Sequence, residues 1–260
     1  MEFLLALQFL TKATITIPGP VEEKSLARAM AYFPLVGALL GLSAAVLYDL
    51  CRYAWSVQVC DLIVIAYLVI ITGNLHGDAV MDTADGIFSG RTREGILEIM
   101  KDSRAGAHGV MACCLLILAK FVLLGQIAPA GKAAALVLMP LLGRWAQVYG
   151  AAVYQYARTG GGTGRFTEYV GLREIFWASA TILAAVFAVL GRYMTGQPDG
   201  GAAAAVAKGV MLLGVVWAGT FGLGRYISGK IGGMTGDTLG SMSECIEVLT
   251  LLILSIMLAD

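Results

Sequence analysis

Asp78, Asp82 and Asp85 stand at positions i, i+4 and i+7 of the run Gly73-Asn-Leu-His-Gly-Asp-Ala-Val-Met-Asp-Thr-Ala-Asp-Gly86. On a helix those offsets share one face, and Asn74, one turn earlier, falls on the same face. Three bare carboxylates at such spacing repel one another. A hard divalent cation relieves this, because Mg²⁺ prefers carboxylate oxygens and completes its shell with water and substrate phosphates. The alternative is a solvated acidic face at a helix end. Three aspartates on one face, closing an apolar run, favour the metal and a phosphate-bearing substrate.

Three further segments carry groups suited to the same chemistry. Arg91, Arg93, Lys101 and Arg104 follow the aspartates within Arg91–Gly109. They either neutralise phosphate charge as it develops or are ordinary cytoplasmic-loop charge. Ile96, Leu97, Ile99 and Met100 predict a short amphipathic helix there, lying at the interface. Asp102-Ser-Arg104 sets an anion and a cation just before Gly106, and Asp102 is a functional candidate. His76 and His108 are open to two roles, donating to phosphate or making a structural hydrogen bond. The stretch Tyr156-Ala-Arg-Thr-Gly-Gly-Gly-Thr-Gly-Arg-Phe166 offers Arg158, Gly161 and Thr163. Its glycines let backbone N–H groups approach a phosphate, although it is not a Walker A loop and a plain flexible loop reads the same. Finally, Ile231–Glu244 places Asp237 and Glu244 seven apart on one helical face, with hydroxyls at Thr235 and Thr238. Asp237 can complete a metal shell or act as a base.

The elements that position these groups must sit in lipid. The chain has 260 residues, 58% apolar and 14% charged, with no net charge and a mean hydropathy of +0.78. A soluble domain is ~45–50% apolar and ~25% charged. Zero net charge gives no footprint for nucleic acid. Apolar runs long enough to span a bilayer occur at Ala31–Leu50, Val57–Leu75, Val110–Ala128, Ala133–Tyr156, Ile175–Tyr193 and Ala203–Leu223. A shorter one at Ile246–Leu258 reads as a last span or half a hairpin. The expected architecture is therefore an all-α, polytopic membrane bundle of about seven spans, forming one domain over residues 1–260. Met1–Ile17, broken by Gln8 and Lys12, reads as an interfacial or re-entrant helix rather than a signal peptide. Gly37, Gly41, Gly214 and Gly219 lie inside spans and read as helix-packing positions. Arg144, inside a span, needs a partner or a polar cavity; Lys120 is similar, but it can also snorkel. The five cysteines show no metal spacing and read as reduced packing residues. A homo-oligomer stays open.

Seven spans sort the loops onto two sides. One side receives the N-terminal region, Gly77–Gly109, Ala157–Glu174 and Gly224–Cys245, with most of the Lys and Arg; the other holds Arg52, Lys132 and Arg192. The positive-inside rule makes the first side cytoplasmic. All the chemistry-bearing segments fall there. A transporter would instead place polar groups near the midplane.

Taken together, these segments resemble the cobalamin synthase family, the adenosylcobinamide-GDP ribazoletransferases. The resemblance runs over most of the chain. It rests on His76-Gly-Asp78, Asp82-Thr-Ala-Asp-Gly86, Phe88-Ser-Gly-Arg91, Glu98-Ile-Met-Lys-Asp-Ser-Arg104, Thr159–Gly164 and Gly233-Met-Thr-Gly-Asp-Thr-Leu-Gly240, in that order. Ala79 and Asn74 depart from the usual pattern without removing a carboxylate. The resemblance implies a Mg²⁺-dependent reaction: adenosylcobinamide-GDP and α-ribazole, or its 5′-phosphate, give adenosylcobalamin, or its phosphate, and GMP. It implies a multi-pass protein of the inner membrane. Asp78 and Asp82 would be metal ligands, Asp85 a third ligand or the base, and Asp237 a ligand or base from a second region. Arg104 and its neighbouring cations would hold phosphate. Two other membrane diphosphate enzymes share parts of this chemistry. The chain lacks the full Asp-Gly-x-x-Ala-Arg arrangement of CDP-alcohol phosphotransferases. Asn74, Asp78 and Asp82 match the first acidic motif of membrane prenyltransferases, but their second is absent, since Ser241 stands four residues after Asp237.

Overall fold

The computed structural model describes residues 1–17, 19–158, 164–197 and 200–258. Every regular element among them is helical. In chain order these are α1 (Glu2–Leu10), α2 (Glu23–Ala29), α3 (Phe33–Cys51), α4 (Val57–Ile71), α5 (Leu75–Ile87), α6 (Arg93–Ile99), α7 (Ala107–Gly125), α8 (Lys132–Val153), α9 (Leu172–Met194), α10 (Ala202–Ile231) and α11 (Gly236–Met257), with short 3₁₀ turns between some of them. Among the described residues, six stretches are long and apolar enough to cross a membrane: Glu23–Cys51, Ala107–Gly125, Pro129–Val153, Leu172–Met194, Ala202–Ile231 and Gly236–Met257. A seventh exists if the bent pair α4–α5 is one broken span. The expected polytopic helical bundle is what forms. The nine residues of α1 reach about 14 Å at 1.5 Å per residue, too short to cross a core of about 30 Å.

Two boundaries differ from expectation. The run Val57–Leu75 is not a straight helix: α4 ends at Ile71, and α5 leaves at 85° to it. Gly73 (φ 64°) and Asn74 (φ 58°) are both left-handed, and two such residues in succession stop an α-helix. The Lys12 N–H occupies the exposed Ile71 carbonyl at 2.7 Å. Asn74 therefore lies outside α5, off the face that Asp78 and Asp82 share. The last span is longer than expected. α11 begins at Gly236 and runs 22 residues, so Asp237 and Glu244 belong to a spanning helix rather than a loop. Thr235 starts it: its hydroxyl accepts from the Thr238 N–H (3.2 Å), while the Thr238 hydroxyl accepts from the Thr235 N–H (2.8 Å).

α8 is the central helix, packed on α3, α9 and α11. α3 approaches it through Gly37 and Gly41, where any side chain would run into the α8 backbone at Pro140 and Leu136. Gly219 likewise packs on Leu249, but Gly214 faces open space. The outer helices α7 and α10 expose Val110, Leu115, Leu118, Val206, Val210 and Trp217, the apolar surface a lipid-facing helix presents.

Charges inside the bundle are paired. Arg144 meets Glu247, and Lys120 bridges Glu247 and Glu244, the latter at 2.6 Å. Lys132, expected in a loop, is instead fully buried. It bonds both Asp61 oxygens (2.8 and 2.7 Å) and the Leu124 carbonyl (2.6 Å). This pair sits at the end where Ala128 meets Leu258. The N-terminal region, the α4–α5 break and the loops before α7 and α11 gather at the opposite end.

Candidate active site

At that opposite end Asp78 and Asp82 lie one turn apart on α5, and among the described residues no hydrogen bond or ion pair engages either carboxylate. Asp82 stands in the field of Asp78, Asp237 and Asp85, with Arg158 opposing them. Asp237, in the first turn of α11, stands in the field of Asp78. Its Oδ2 accepts from Arg158 Nη2 at 3.0 Å. The same guanidinium nitrogen reaches the Met100 carbonyl at 3.4 Å. Asp78, Asp82, Asp237 and Arg158 thus come together from three separate parts of the chain, and two negative charges among them remain uncompensated.

The elements explain the convergence. α5 packs on α11, α7 and α6. Its contact with α11 is close because Gly240 faces Ala79, leaving no room for another side chain. α6 packs Ile96 and Met100 over Gly86, as the amphipathic pattern predicted. Arg93 Nη2 donates to the Ala157 carbonyl at 3.1 Å, and the Ala157 N–H donates to the Met234 carbonyl at 2.8 Å. These bonds hold Arg158 beside the start of α11. An Asp near a helix N-terminus meets the positive end of the helix dipole, which also favours bound anions.

Asp85 has a different employment from the one expected. Its Oδ2 accepts from the Gly106 N–H (2.7 Å) and its Oδ1 from the Gly109 N–H (2.8 Å). Both oxygens are committed to the first amides of α7, which otherwise lack partners. Asp85 is a cap supplied from another helix, each of its oxygens already accepting one amide hydrogen bond.

The remaining candidates divide. His76 is buried and faces the bundle interior. Its Nε2 lies 2.7 Å from Gln147 Nε2, and its Nδ1 is 3.9 Å from Glu244. Asn74 lines the same interior space as His76, Lys120 and Glu244. Asp102 and Arg104 pair with each other at 2.6 Å, and Arg104 is 88% exposed. This local turn also draws the Asp102 carboxyl below its usual range through the Arg104 hydrogen bonds. The structure does not bring Asp102 to the other aspartates, so its placement does not support a catalytic role. Arg91 is exposed. His108, in the first turn of α7, is exposed beside Phe88, with ring centroids 6.1 Å apart. Thr235 is the fully buried cap of α11. Gly161 and Thr163 lie outside the described residues.

Sequence reasoning missed Gln147, although Arg144 and Gln147 at i, i+3 within an apolar span mark one polar face. It also missed the structural work of Arg93 and a cleft of ≈ 280 Å³ lined by Phe9, Phe33, His76, Asp78, Phe166 and Asp237, among others.

A metal can be tested against this donor set. No three His, Cys, Asp or Glu side chains among the described residues form a ready-made cage. Mg²⁺ does not require one, since it keeps several waters and is usually held by one or two carboxylates plus substrate phosphates. Two unpartnered carboxylates one turn apart, with Asp237 nearby and two charges uncompensated, fit that mode.

Residues 2–255 match the family model described as cobalamin-5-phosphate synthase. Among curated proteins the chain is similar to the adenosylcobinamide-GDP ribazoletransferase of Desulforamulus reducens, with 38% identity over 227 residues covering 87% of this chain and 85% of that one. It is similar also to the enzymes of that name from Caldanaerobacter subterraneus subsp. tengcongensis (34% over 256 residues, 98% and 97% covered) and Thermoanaerobacter pseudethanolicus (33% over 252 residues, 96% and 95% covered). No solved structure matches the chain.

Proposed function

This chain belongs to the cobalamin-5-phosphate synthase family, and from that premise we propose that it transfers the cobinamide phosphoryl group of adenosylcobinamide-GDP to α-ribazole or its 5′-phosphate, releasing GMP. It is a multi-pass membrane transferase of cobalamin biosynthesis. The family carries the substrate. The chemistry is carried by one observation: Asp78, Asp82, Asp237 and Arg158 converge at the end of the bundle where α7 and α11 begin.

Asp78 and Asp82, with Asp237, would hold Mg²⁺, which when bound supplies Lewis-acid stabilisation of the diphosphate. The ribose 3′-hydroxyl oxygen attacks the phosphorus joined to cobinamide. A new P–O bond forms, the P–O bond to GMP breaks, and GMP leaves with the electron pair. Asp237, whose second oxygen the Arg158 bond leaves free, takes the hydroxyl proton. Arg158, already beside Asp237, orients the diphosphate and offsets its charge. The amide end of α11, where Asp237 stands, favours anions at the same place.

The acidic end faces the cytoplasm of an inner membrane in this reading, supported by the clustering of Lys24, Arg28, Arg91, Arg93, Lys101, Arg104 and Arg158 in the segments at that end. The test is purified protein incubated with adenosylcobinamide-GDP, α-ribazole and Mg²⁺. Equimolar GMP and a corrinoid carrying the riboside are expected. Absence of GMP, or GMP without the new corrinoid, defeats the assignment.

A further inference from the structure

Phe9, Phe33 and Phe166 form an aromatic wall of the cleft that opens on Asp78 and Asp237. They arrive from α1, α3 and the 3₁₀ turn Arg165–Tyr169. Phe9 stacks on Phe33 with ring centroids 5.6 Å apart and 23° between planes, and it meets Phe166 edge-on at 5.6 Å and 77°. Phe33 and Phe166 are buried, but Phe9 is 41% exposed. The wall is therefore one partly open ring supported from behind by two fixed ones.

We propose that this wall is the subsite for the aromatic base of the riboside acceptor, which stacks on Phe9 and so directs its sugar hydroxyl toward Asp78 and Asp237. The inference rests on the transfer reaction above and adds where its second substrate binds.

The chemistry of the lining separates this occupant from the guanine of the donor. Guanine presents N1–H and N2–H₂ donors and O6 and N7 acceptors, and a site that selects it must supply matching free groups. Here the polar side chains other than Asp78 are already used, and the reaction above gives Asp78 to the metal. His76 and Gln147 contact each other, Thr167 donates to the Gly164 carbonyl at 2.8 Å, and Asp237 holds Arg158. Met30, Leu75 and Leu239 complete an otherwise apolar surface. Such a cleft offers ring faces and few edges, which suits a benzimidazole-type base. Its ≈ 280 Å³ is room for a fused two-ring base with its sugar and far too little for a corrin.

The experiment compares wild type, Phe9→Ala and Phe9→Trp as full-length chains in liposomes. Each is assayed with α-ribazole and adenosylcobinamide-GDP varied separately, and α-ribazole binding is measured at equilibrium without the donor. Phe9→Ala is expected to raise the KM and the Kd for α-ribazole about tenfold, with the donor KM unchanged within about twofold and Phe9→Trp near wild type. A part-exposed position tolerates the change, and an unaltered melting temperature checks this. An unchanged α-ribazole KM and Kd overturns the subsite. A raised donor KM alone overturns it in favour of guanine. If wild type releases no GMP, the transfer reading fails by itself, and the equilibrium Kd still decides the subsite: a tenfold loss in Phe9→Ala supports it, and no loss overturns it.

Discussion

Arg158 Nη2 lies 3.0 Å from Asp237 Oδ2, an ion pair between residues 79 positions apart in the chain. The pair fixes Arg158 against the first turn of α11 and sets a cation near three carboxylates. Arg158→Ala removes a charge-assisted contact worth about 1.5–3 kcal/mol. Transfer should fall about 10- to 100-fold in kcat/KM. Arg158→Lys should recover only part of this, because an ammonium keeps the charge without the planar fork. Steady-state kinetics on the three proteins checks both statements.

Asp78 and Asp85 share a helix but not their contacts. Asp78→Asn and Asp82→Asn should each lower turnover by about 10²–10³-fold or more, with membrane insertion and melting temperature preserved. Asp85→Asn keeps one acceptor for α7. It should lose stability and retain measurable turnover. Equal kinetic loss in all three, with no change in melting, would restore Asp85 to the metal.

Gly109 gives Asp85 its approach to α7. A Cβ there would collide with the Asp85 carboxylate and the Met81 carbonyl, so Gly109→Ala should push α5 away from α7. Overpacking of this kind costs about 1–3 kcal/mol. A lowered melting temperature in detergent and reduced turnover should appear together. A variant that melts like wild type argues against the contact.

The Asp61–Lys132 pair lies at the other end of the bundle. Lys132→Met leaves the Asp61 carboxylate buried without its partner, at a cost of about 3–5 kcal/mol. Adding Asp61→Leu should recover most of the loss. Turnover per folded molecule should stay at the wild-type level in both, because no catalytic contact is touched. Thermal unfolding beside specific activity separates the two effects.

The helical membrane class was legible because hydropathy over long runs needs no tertiary information. Asp78 and Asp82 were legible as neighbours because one helical turn guarantees it. Asp237 was legible as a candidate from its position in a polar segment, though the depth of α11 was not, since Gly236–Cys245 is too polar to read as a span. The α4–α5 break was signalled by Gly73-Asn74, a helix-ending pair, and was passed over in favour of the hydrophobic run. The capping contact of Asp85 was illegible for a more basic reason: its partners are backbone amides at Gly106 and Gly109, and amides leave no mark in a sequence. Asp102 and Arg104 were legible as an anion and a cation side by side, but only the loop path decides which way they face. The Phe9–Phe33–Phe166 wall joins three distant segments, and no local pattern announces it.

The central claim is that Asp78 and Asp82, with Asp237, hold Mg²⁺ against the diphosphate. Its most direct test is single-turnover GMP release as a function of Mg²⁺, after exhaustive chelation, in wild type, Asp78→Asn, Asp82→Asn and Asp237→Asn. The account expects no release from chelated wild type and full recovery on adding Mg²⁺. It expects the variants to need much more Mg²⁺ or to remain inactive. Wild-type release after chelation, or variants with an unchanged Mg²⁺ requirement, would contradict it.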